Sequence, residues 1–232
     1  PTRCRQAARR SRAIATLEMT GSLPQFGPYQ LELRLSLGTM CETYLARSES
    51  GQKVALKRLL PSAEEHPDAR AMFLEEMKLA QQLSHPCLTQ FVDAGHVDNR
   101  PYLVSTFVPG ISVRDLFKAS QTRTRLVSIS AIAAIGIQVG KGLSYLHTFS
   151  NSKGVPLSIV HRDVSPKNIL VGRTGHVHLA DLGIAYFAGR SIHTSAGLLK
   201  GTASYMSPEQ VLGQPVDGRS DLFSLGVVMY EM

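Results

Sequence analysis

The stretch "IVHRDVSPKNILV", residues 159 to 171, holds a carboxylate, Asp163, and an amide, Asn168, five residues apart on one polar segment. Apolar runs flank this segment on both sides and predict short buried strands. The pattern therefore predicts a loop that presents an acid, basic groups and an amide together. Such a loop is a candidate site for a reaction that needs an oriented carboxylate beside a carboxamide.

The bulk composition is typical of a folded protein. The chain has 232 residues, of which 43% are hydrophobic and 19% charged, enough for one large domain or two small lobes. Its three cysteines, Cys4, Cys41 and Cys87, match no disulfide or zinc spacing, which favours a reducing compartment. No signal peptide or membrane-length apolar run is visible, so we expect a cytoplasmic protein without a membrane segment.

The positive charge is concentrated at the N-terminus. Of the net charge of +7, five charges come from arginines near the start, and the remainder of the chain is nearly neutral. A basic stretch can bind nucleic acid or anionic lipid, but this one contains no aromatic residue. We therefore expect residues 1–28 to form a disordered tail, and we expect no nucleic-acid partner.

Strand patterns dominate the next part of the chain. The segments "YQLELRLSL", "ETYLARS" and "KVALKRLL" follow one another from Tyr29, a helix opens at Pro67, and two further strand patterns follow. Residues 29–105 are thus predicted to form a small, mostly antiparallel lobe of five strands and one helix.

Helical patterns dominate after Pro109 and Gly110. The last helix, from about Asp217, is still running at Met232. We therefore predict an α+β, bilobal fold in which residues 106–232 form the connection between the lobes and a mainly helical second lobe.

Six blocks then occur in one order along the chain. They are "VALK" (54–57), a helical glutamate, "HRDVSPKN" (161–168), "ADLG" (180–183), "SPE" (207–209) and "RSDLFSLG" (219–226). From about residue 29 to the end, this order resembles the eukaryotic-like protein kinase family, and in particular the bacterial Ser/Thr protein kinases. The resemblance implies ATP- and Mg²⁺-dependent transfer of a γ-phosphoryl group to a Ser or Thr hydroxyl of a protein substrate.

The resemblance also implies roles for the opening loop and the block after it. Asp163 matches the carboxylate that orients the substrate hydroxyl, and Asn168 and Asp181 match two magnesium ligands, whose oxygens suit a hard cation. Leu182 stands where the family usually has Phe. Asp221 resembles the helix residue that anchors the backbone of the loop.

A lysine and a glutamate of the first lobe complete the implied catalytic set. Lys57 matches the lysine that reaches the α- and β-phosphates, and Glu76 its salt-bridge partner, nine residues before His85. The adjacent Glu75 is a rival, but a shift of one residue turns about 100° around a helix, so we expect Glu76 to face the lysine.

The nucleotide pocket is implied by further positions. The expected ATP-binding residues are Gly38, Ala55, Lys57, Ser105, Thr106, Val108 and Leu170. The glycine-rich loop departs from the family pattern, because Ser36 and Cys41 stand at two of its three glycine positions. If Cys41 requires a positive φ, the cost is on the order of 1 kcal/mol.

A second departure lies on the catalytic loop. Ser165 stands where Ser/Thr kinases usually carry a lysine that contacts the γ-phosphate. Lys167, two residues later, either reaches the same oxygens or is an ordinary solvated lysine, and the sequence favours neither.

Regulation is implied by Arg162 beside Asp163, a type that often binds phosphate on the activation loop. Thr194 and Ser195 are the candidate acceptors, although an unmodified polar loop is the alternative. Thr202 resembles the residue that braces the catalytic aspartate in Ser/Thr-directed enzymes.

Two other functions are compatible with the same blocks. The changed glycine loop, the changed Ser165 position and the cut last helix favour a pseudokinase or fragment that binds nucleotide or a partner without catalysis. The segment "GTASYMSPE" (201–209), which in protein kinases helps to form a peptide platform, argues against a small-molecule kinase.

Overall fold

The computed structural model describes residues 24–64, 66–123, 127–182 and 203–232, and it has the predicted α+β fold. The strands are β1 (Gln25–Phe26), β2 (Tyr29–Leu37), β3 (Cys41–Ser48), β4 (Lys53–Leu59), β5 (Phe91–Val97), β6 (Arg100–Thr106), β7 (Gly110–Ser112), β8 (Ile169–Gly172) and β9 (Val177–Leu179). The helices are α1 (Pro61–Glu64), α2 (Pro67–Ala80), α3 (Val113–Arg123), α4 (Ile129–His147), α5 (Pro208–Val211) and α6 (Gly218–Glu231), with a 3-10 turn at Ala203–Tyr205.

The first lobe is a six-stranded antiparallel sheet in the order β1-β2-β3-β4-β6-β5. It contains one strand more than the sequence predicted, because β1 pairs with β2 ahead of the expected boundary at Tyr29. Phe26 of β1 is buried and lies edge-on to Tyr102, with 5.8 Å between the ring centroids. Part of the predicted tail therefore belongs to the sheet, and residues 1–23 lie outside the described residues.

Helix α2 packs against the sheet through one face. Pro67 is at its first turn, where the missing N–H costs nothing, and Phe73 and Met77 are buried with Leu59 and Leu103. Glu76 lies on the same face, three residues after Phe73, so the packing that buries Phe73 also carries the glutamate toward the sheet.

Helix α4 forms the centre of the second lobe. Ser128 caps its N-terminus by accepting a hydrogen bond from the Ala131 N–H. In the described part of the chain it is the one helix long and apolar enough to span a membrane by length and composition alone. Val139, Leu143 and Leu146 of this helix are buried in the second-lobe core beside β8, β9 and α6.

The two lobes join at Gly110. Strand β7 pairs with β8, and a Cβ at Gly110 would lie 2.0 Å from the Val171 carbonyl oxygen, so only glycine fits this crossing. A backbone bridge between Leu88 and Leu179 adds a second connection. These contacts place the end of β6 beside the loop that precedes β8.

Candidate active site

A cleft of about 740 Å³ lies where the two lobes meet. It brings together all the predicted catalytic, nucleotide-binding and metal-binding residues: Gly38, Ala55, Lys57, Glu76, Ser105, Thr106, Val108, Asp163, Lys167, Asn168, Leu170 and Asp181. Arg162 does not line this cleft. Thr194, Ser195 and Thr202 lie outside the described residues.

A buried ion pair forms the back of the cleft. Lys57 Nζ on β4 lies 2.6 Å from Glu76 Oε1 on α2, and the two side chains are 14% and 2% exposed. Burial alone would lower the pKa of Lys57, but the carboxylates of Glu76 and Asp181 outweigh it and raise that pKa above its ordinary value. Lys57 is therefore a fixed cation, and the exposed Glu75 is not its partner.

Asp181 faces the same lysine from the second lobe. Its Oδ1 lies 3.5 Å from Lys57 Nζ, and its side chain is 39% exposed. The backbone of Asp181 has φ +55, a left-handed conformation that Asp tolerates better than most residues. Leu182 packs against the second-lobe core, so the residue that replaces the family's Phe anchors the segment that carries this carboxylate.

The backbone of the catalytic loop is fastened by one carboxylate. Asp221 Oδ1 accepts a hydrogen bond from the Arg162 N–H, and Oδ2 accepts one from the His161 N–H, both at 2.8 Å. His147 Nε2 also lies 2.8 Å from Oδ2. The anchoring role that the sequence implied for Asp221 is thus seen in its contacts, and it holds Arg162 at φ +67.

His161 is a neutral part of this framework. Its Nδ1 accepts a hydrogen bond from the Asp163 N–H at 3.3 Å, so the proton is on Nε2, which lies 3.2 Å from the Ala180 carbonyl oxygen and donates to it. Burial lowers the pKa of His161 and favours this uncharged form. The ring connects the backbone of the Asp163 loop to the segment that leads into Asp181.

Asn168 orients the Asp163 carboxylate. The Asn168 Nδ2 group donates to the Asp163 carbonyl oxygen and to Asp163 Oδ2, each at 2.8 Å. Asp163 Oδ1 is buried and has no hydrogen-bond partner among the residues that the structure describes. The carboxylate is therefore held by one oxygen and can accept a hydrogen bond with the other.

The oxygens near Asp163 also fit a magnesium ion. Because both groups facing the Asn168 amide nitrogen are acceptors, the Asn168 oxygen must point the other way and is left for a ligand. Asp181 supplies a carboxylate in the same cleft, and carbonyl and carboxylate oxygens are the donors that Mg²⁺ prefers. No group of three or more His, Cys, Asp or Glu side chains in the described ranges could hold a metal ion.

Lys167 contacts the same carboxylate. Its Nζ lies 3.0 Å from Asp163 Oδ2, while its side chain is 40% exposed at the cleft. The buried Ser165 hydroxyl, at the position usually held by lysine, has no hydrogen-bond partner within the described segments. A cation therefore lies beside Asp163 at position 167, whereas position 165 carries a buried, neutral hydroxyl.

The glycine-rich loop carries no backbone strain at its changed position. The Gly38 N–H donates to the Cys41 carbonyl oxygen at 2.8 Å, which closes a turn between β2 and β3. Cys41 is absent from the non-glycine residues with positive φ in the described chain, so the condition for a conformational cost is not met. Burial raises the pKa of the Cys41 thiol to about 12, which leaves it protonated.

Two glutamines that carry no motif signal also contribute to the site. The Gln90 N–H donates to Thr106 Oγ1 at 3.0 Å, and the Thr106 N–H donates to the Gln90 carbonyl oxygen at 2.9 Å, which fixes the end of β6. Gln210 contacts the carbonyl oxygen of Arg162. Sequence reasoning missed both, because the role of a glutamine of this kind is recognised only from its hydrogen-bond partners.

Comparison with known proteins identifies the family. Residues 29–232 match the profile described as "Protein kinase domain". The chain belongs to the protein kinase family. This confirms the resemblance inferred from the sequence blocks.

Curated bacterial kinases are among the relatives of this protein kinase chain. It is 35% identical to tyrosine-protein kinase MasK of Myxococcus xanthus over 90% of the chain and 33% of that protein. It is 36% identical to the probable serine/threonine-protein kinase SCO3848 of Streptomyces coelicolor, over 89% of the chain and 30% of that protein. It is 34% identical to serine/threonine-protein kinase PknB of Mycobacterium tuberculosis, over 88% of the chain and 32% of that protein. The chain thus spans about a third of the length of these relatives.

A solved structure supports the kinase fold independently. The crystal structure of the PknI kinase domain of Mycobacterium tuberculosis superposes with a TM-score of 0.68 at 26% identity. The match covers 90% of this chain and 74% of that one. The predicted bilobal kinase fold is therefore confirmed.

Proposed function

We propose that this kinase-family chain catalyses transfer of the γ-phosphoryl group of ATP to a Ser or Thr hydroxyl of a protein. The observation that carries the proposal is the joint placement, in one cleft, of the Lys57–Glu76 pair, the oxygen ligands Asn168 and Asp181, and an Asp163 carboxylate with one open oxygen. Phosphoryl transfer requires this combination of fixed cations and a positioned base.

The chemistry assigned to the side chains follows from their contacts. The Lys57 ammonium offers a fixed positive charge to the phosphates of ATP, and Glu76 holds it in place. Asp163 Oδ1 accepts the hydrogen bond of the acceptor hydroxyl, whose oxygen forms a bond to the γ-phosphorus. The bond from that phosphorus to the β–γ bridging oxygen breaks, ADP leaves with the electron pair, and the hydroxyl proton passes to Asp163 or to water.

Magnesium is the expected metal. When bound with ATP, Mg²⁺ neutralises the charge that develops on the phosphate oxygens. Asn168 and Asp181 are the residues proposed to hold it, through the amide oxygen and the carboxylate.

Lys167 is proposed to contribute a second cation at the γ-phosphate. Its ammonium already lies beside Asp163, and it stands at the cleft surface, whereas the neutral Ser165 is buried. In this role Lys167 stabilises charge that appears during transfer, so it serves catalysis more than ATP binding.

The remaining predicted residues are proposed to bind the adenine base and to regulate the enzyme. Thr106 and Val108 would bind the adenine edge, with Ala55 and Leu170 above and below it and the small Ser105 leaving space behind it. Thr194 and Ser195 are proposed phosphorylation sites for which Arg162 would bind the phosphate.

The acceptor class is tested by phosphoamino-acid analysis. The relatives SCO3848 and PknB are named serine/threonine kinases and MasK a tyrosine kinase, so the names of the relatives leave both classes open. After incubation with γ-labelled ATP, Mg²⁺ and mixed acceptor proteins, acid hydrolysis should yield labelled phosphoserine or phosphothreonine. Label on tyrosine alone would overturn the Ser/Thr assignment, and no label on any protein would overturn the proposed activity.

The rival function is nucleotide or partner binding without catalysis. The observation that favours it is the changed glycine loop, where Ser36 and Cys41 replace glycines over the proposed phosphate site. A chain of this kind would bind ATP with Mg²⁺ but transfer no label, and its ATP binding would be unaffected by Asp163→Asn.

A further inference from the structure

Gln210 lies outside the cleft but contacts the catalytic loop directly. It belongs to α5, its side chain is 1% exposed, and its Nε2 donates to the Arg162 carbonyl oxygen at 2.9 Å. Forty-eight residues separate the two in sequence, so the contact joins two distant segments of the second lobe.

Ser207 fixes the orientation of this glutamine. Gln210 Oε1 accepts from the Ser207 N–H at 3.1 Å and from the Ser207 hydroxyl at 3.3 Å, and Ser207 is fully buried. Because Ser207 presents two donors, the amide oxygen must face it and the NH₂ group must face Arg162. The donation to Arg162 is therefore determined by the surroundings of Gln210.

The residue held by Gln210 is a strained one. Arg162 has φ +67, a left-handed conformation that is unfavourable for a residue with a side chain. Asp221 holds the N–H of Arg162, and Gln210 holds its carbonyl oxygen. The peptide group that contains this carbonyl leads directly into Asp163, so a rotation of the group would move the carboxylate that faces the cleft.

We propose that Gln210 is a positioning residue for the phosphoryl transfer proposed above. Its amide keeps Arg162 in the left-handed conformation and so keeps Asp163 Oδ1 directed at the acceptor hydroxyl. The expected effect on kcat rests on the proposed function. The claim that Gln210 holds the backbone of the catalytic loop rests only on its contacts with Ser207 and Arg162.

Two kinetic variants test the proposal. Gln210→Met has nearly the same length but cannot donate, so kcat should fall at least about tenfold while the KM for ATP changes by less than about twofold. Gln214→Met is the matched control, because Gln214 is exposed and lies four residues away, and it should behave as the parent. Unchanged kcat in Gln210→Met would overturn the proposal.

A pH profile separates positioning from general destabilisation. In Gln210→Glu, the buried carboxyl can donate to Arg162 only when it is protonated, and burial favours that form. The ratio of variant to parent kcat should therefore rise as the pH is lowered from about 8.5 to about 6. A ratio that is low and independent of pH would contradict the proposed donor role.

Amide hydrogen exchange tests whether Gln210 holds the backbone of the catalytic loop, even if the parent transfers no phosphate. The Arg162 N–H is bonded to Asp221 and the Asp163 N–H to His161 Nδ1, so both amides report on the loop. In Gln210→Met both should exchange at least about tenfold faster than in the parent, while the Leu225 amide in α6 exchanges at the parent rate. Equal exchange at Arg162 and Asp163 would refute the inference, whereas an inactive parent would refute only the proposed function.

Discussion

The Lys57 ammonium and the Glu76 carboxylate lie 2.6 Å apart between strand β4 and helix α2. Helix α2 can deliver Glu76 only because Phe73 and Met77 bury the same face against the sheet. The ion pair therefore depends on the packing of the first lobe. The Lys57 ammonium also faces the cleft between the lobes, where Asp181 Oδ1 lies 3.5 Å from it.

Neutralising Glu76 should impair nucleotide use. Glu76→Gln removes the charge that holds Lys57, and we expect kcat/KM for ATP to fall by at least about tenfold because the lysine is no longer fixed beside the phosphates. Glu75→Gln is the control, since Glu75 is exposed one residue away. The measurement is steady-state kinetics at varied ATP concentration. Equal kcat/KM for ATP in the two variants would contradict this account.

Removing Lys167 should slow the chemical step. Lys167→Ala is expected to lower kcat at least about tenfold and to change the KM for ATP by less than about threefold, because the charge is used in transfer. Lys153→Ala, which alters an exposed loop lysine, should match the parent. Equal turnover by Lys167→Ala and parent would remove Lys167 from the mechanism.

Restoring the missing glycine at Cys41 should not stabilise the protein. Cys41 lacks a positive φ, so Cys41→Gly relieves no strain and adds backbone freedom to the unfolded chain. We expect a loss of about 0.5–1 kcal/mol in the free energy of unfolding, measured in urea against Cys41→Ala. A gain in stability would show that the loop is strained after all.

Stability should fall in mild acid because of His161. Its pKa is lowered in the folded state by burial, whereas an unfolded histidine titrates near 6.5. Below about pH 6.5 the unfolded chain therefore binds a proton that the folded one does not, which costs at most about 1.4 kcal/mol per pH unit.

This effect is measured as the difference in the free energy of unfolding between the parent and His161→Gln. Both proteins are unfolded in urea between about pH 7.5 and about pH 5.5, so the titration of the groups that they share cancels in the difference. The free energy of unfolding should fall more steeply in the parent. Parallel slopes would mean that His161 can be protonated in place.

The sequence blocks predicted the family and most of the residues that line the cleft, because the charged and polar residues of these blocks occur in the order and spacing typical of the family. The Glu76 assignment over Glu75 rested on the spacing to His85 that the family resemblance implies and on the turn of about 100° per helical residue, and the contact between Lys57 and Glu76 agrees with it. Strand β1 was missed because two residues, Gln25 and Phe26, are too few to show alternation, and their place is set by pairing with β2.

Other features depended on contacts that sequence cannot show. The Glu209 carboxylate, for example, accepts a hydrogen bond from the Ser220 hydroxyl at the start of α6. Gln210 gave no signal because its role arises from Ser207 and Arg162, three and forty-eight residues away. Side chains that hold backbone groups become visible only once the chain is folded.

The central claim is that Asp163 acts on an acceptor hydroxyl beside Mg²⁺-bound ATP. The most direct test is transfer of labelled γ-phosphate to protein by the parent and by Asp163→Asn, with ATP binding measured on both. The account predicts transfer by the parent and a loss of about 10²–10⁴-fold in the variant, with ATP binding retained. Equal transfer by the two proteins, or none by the parent, would contradict it.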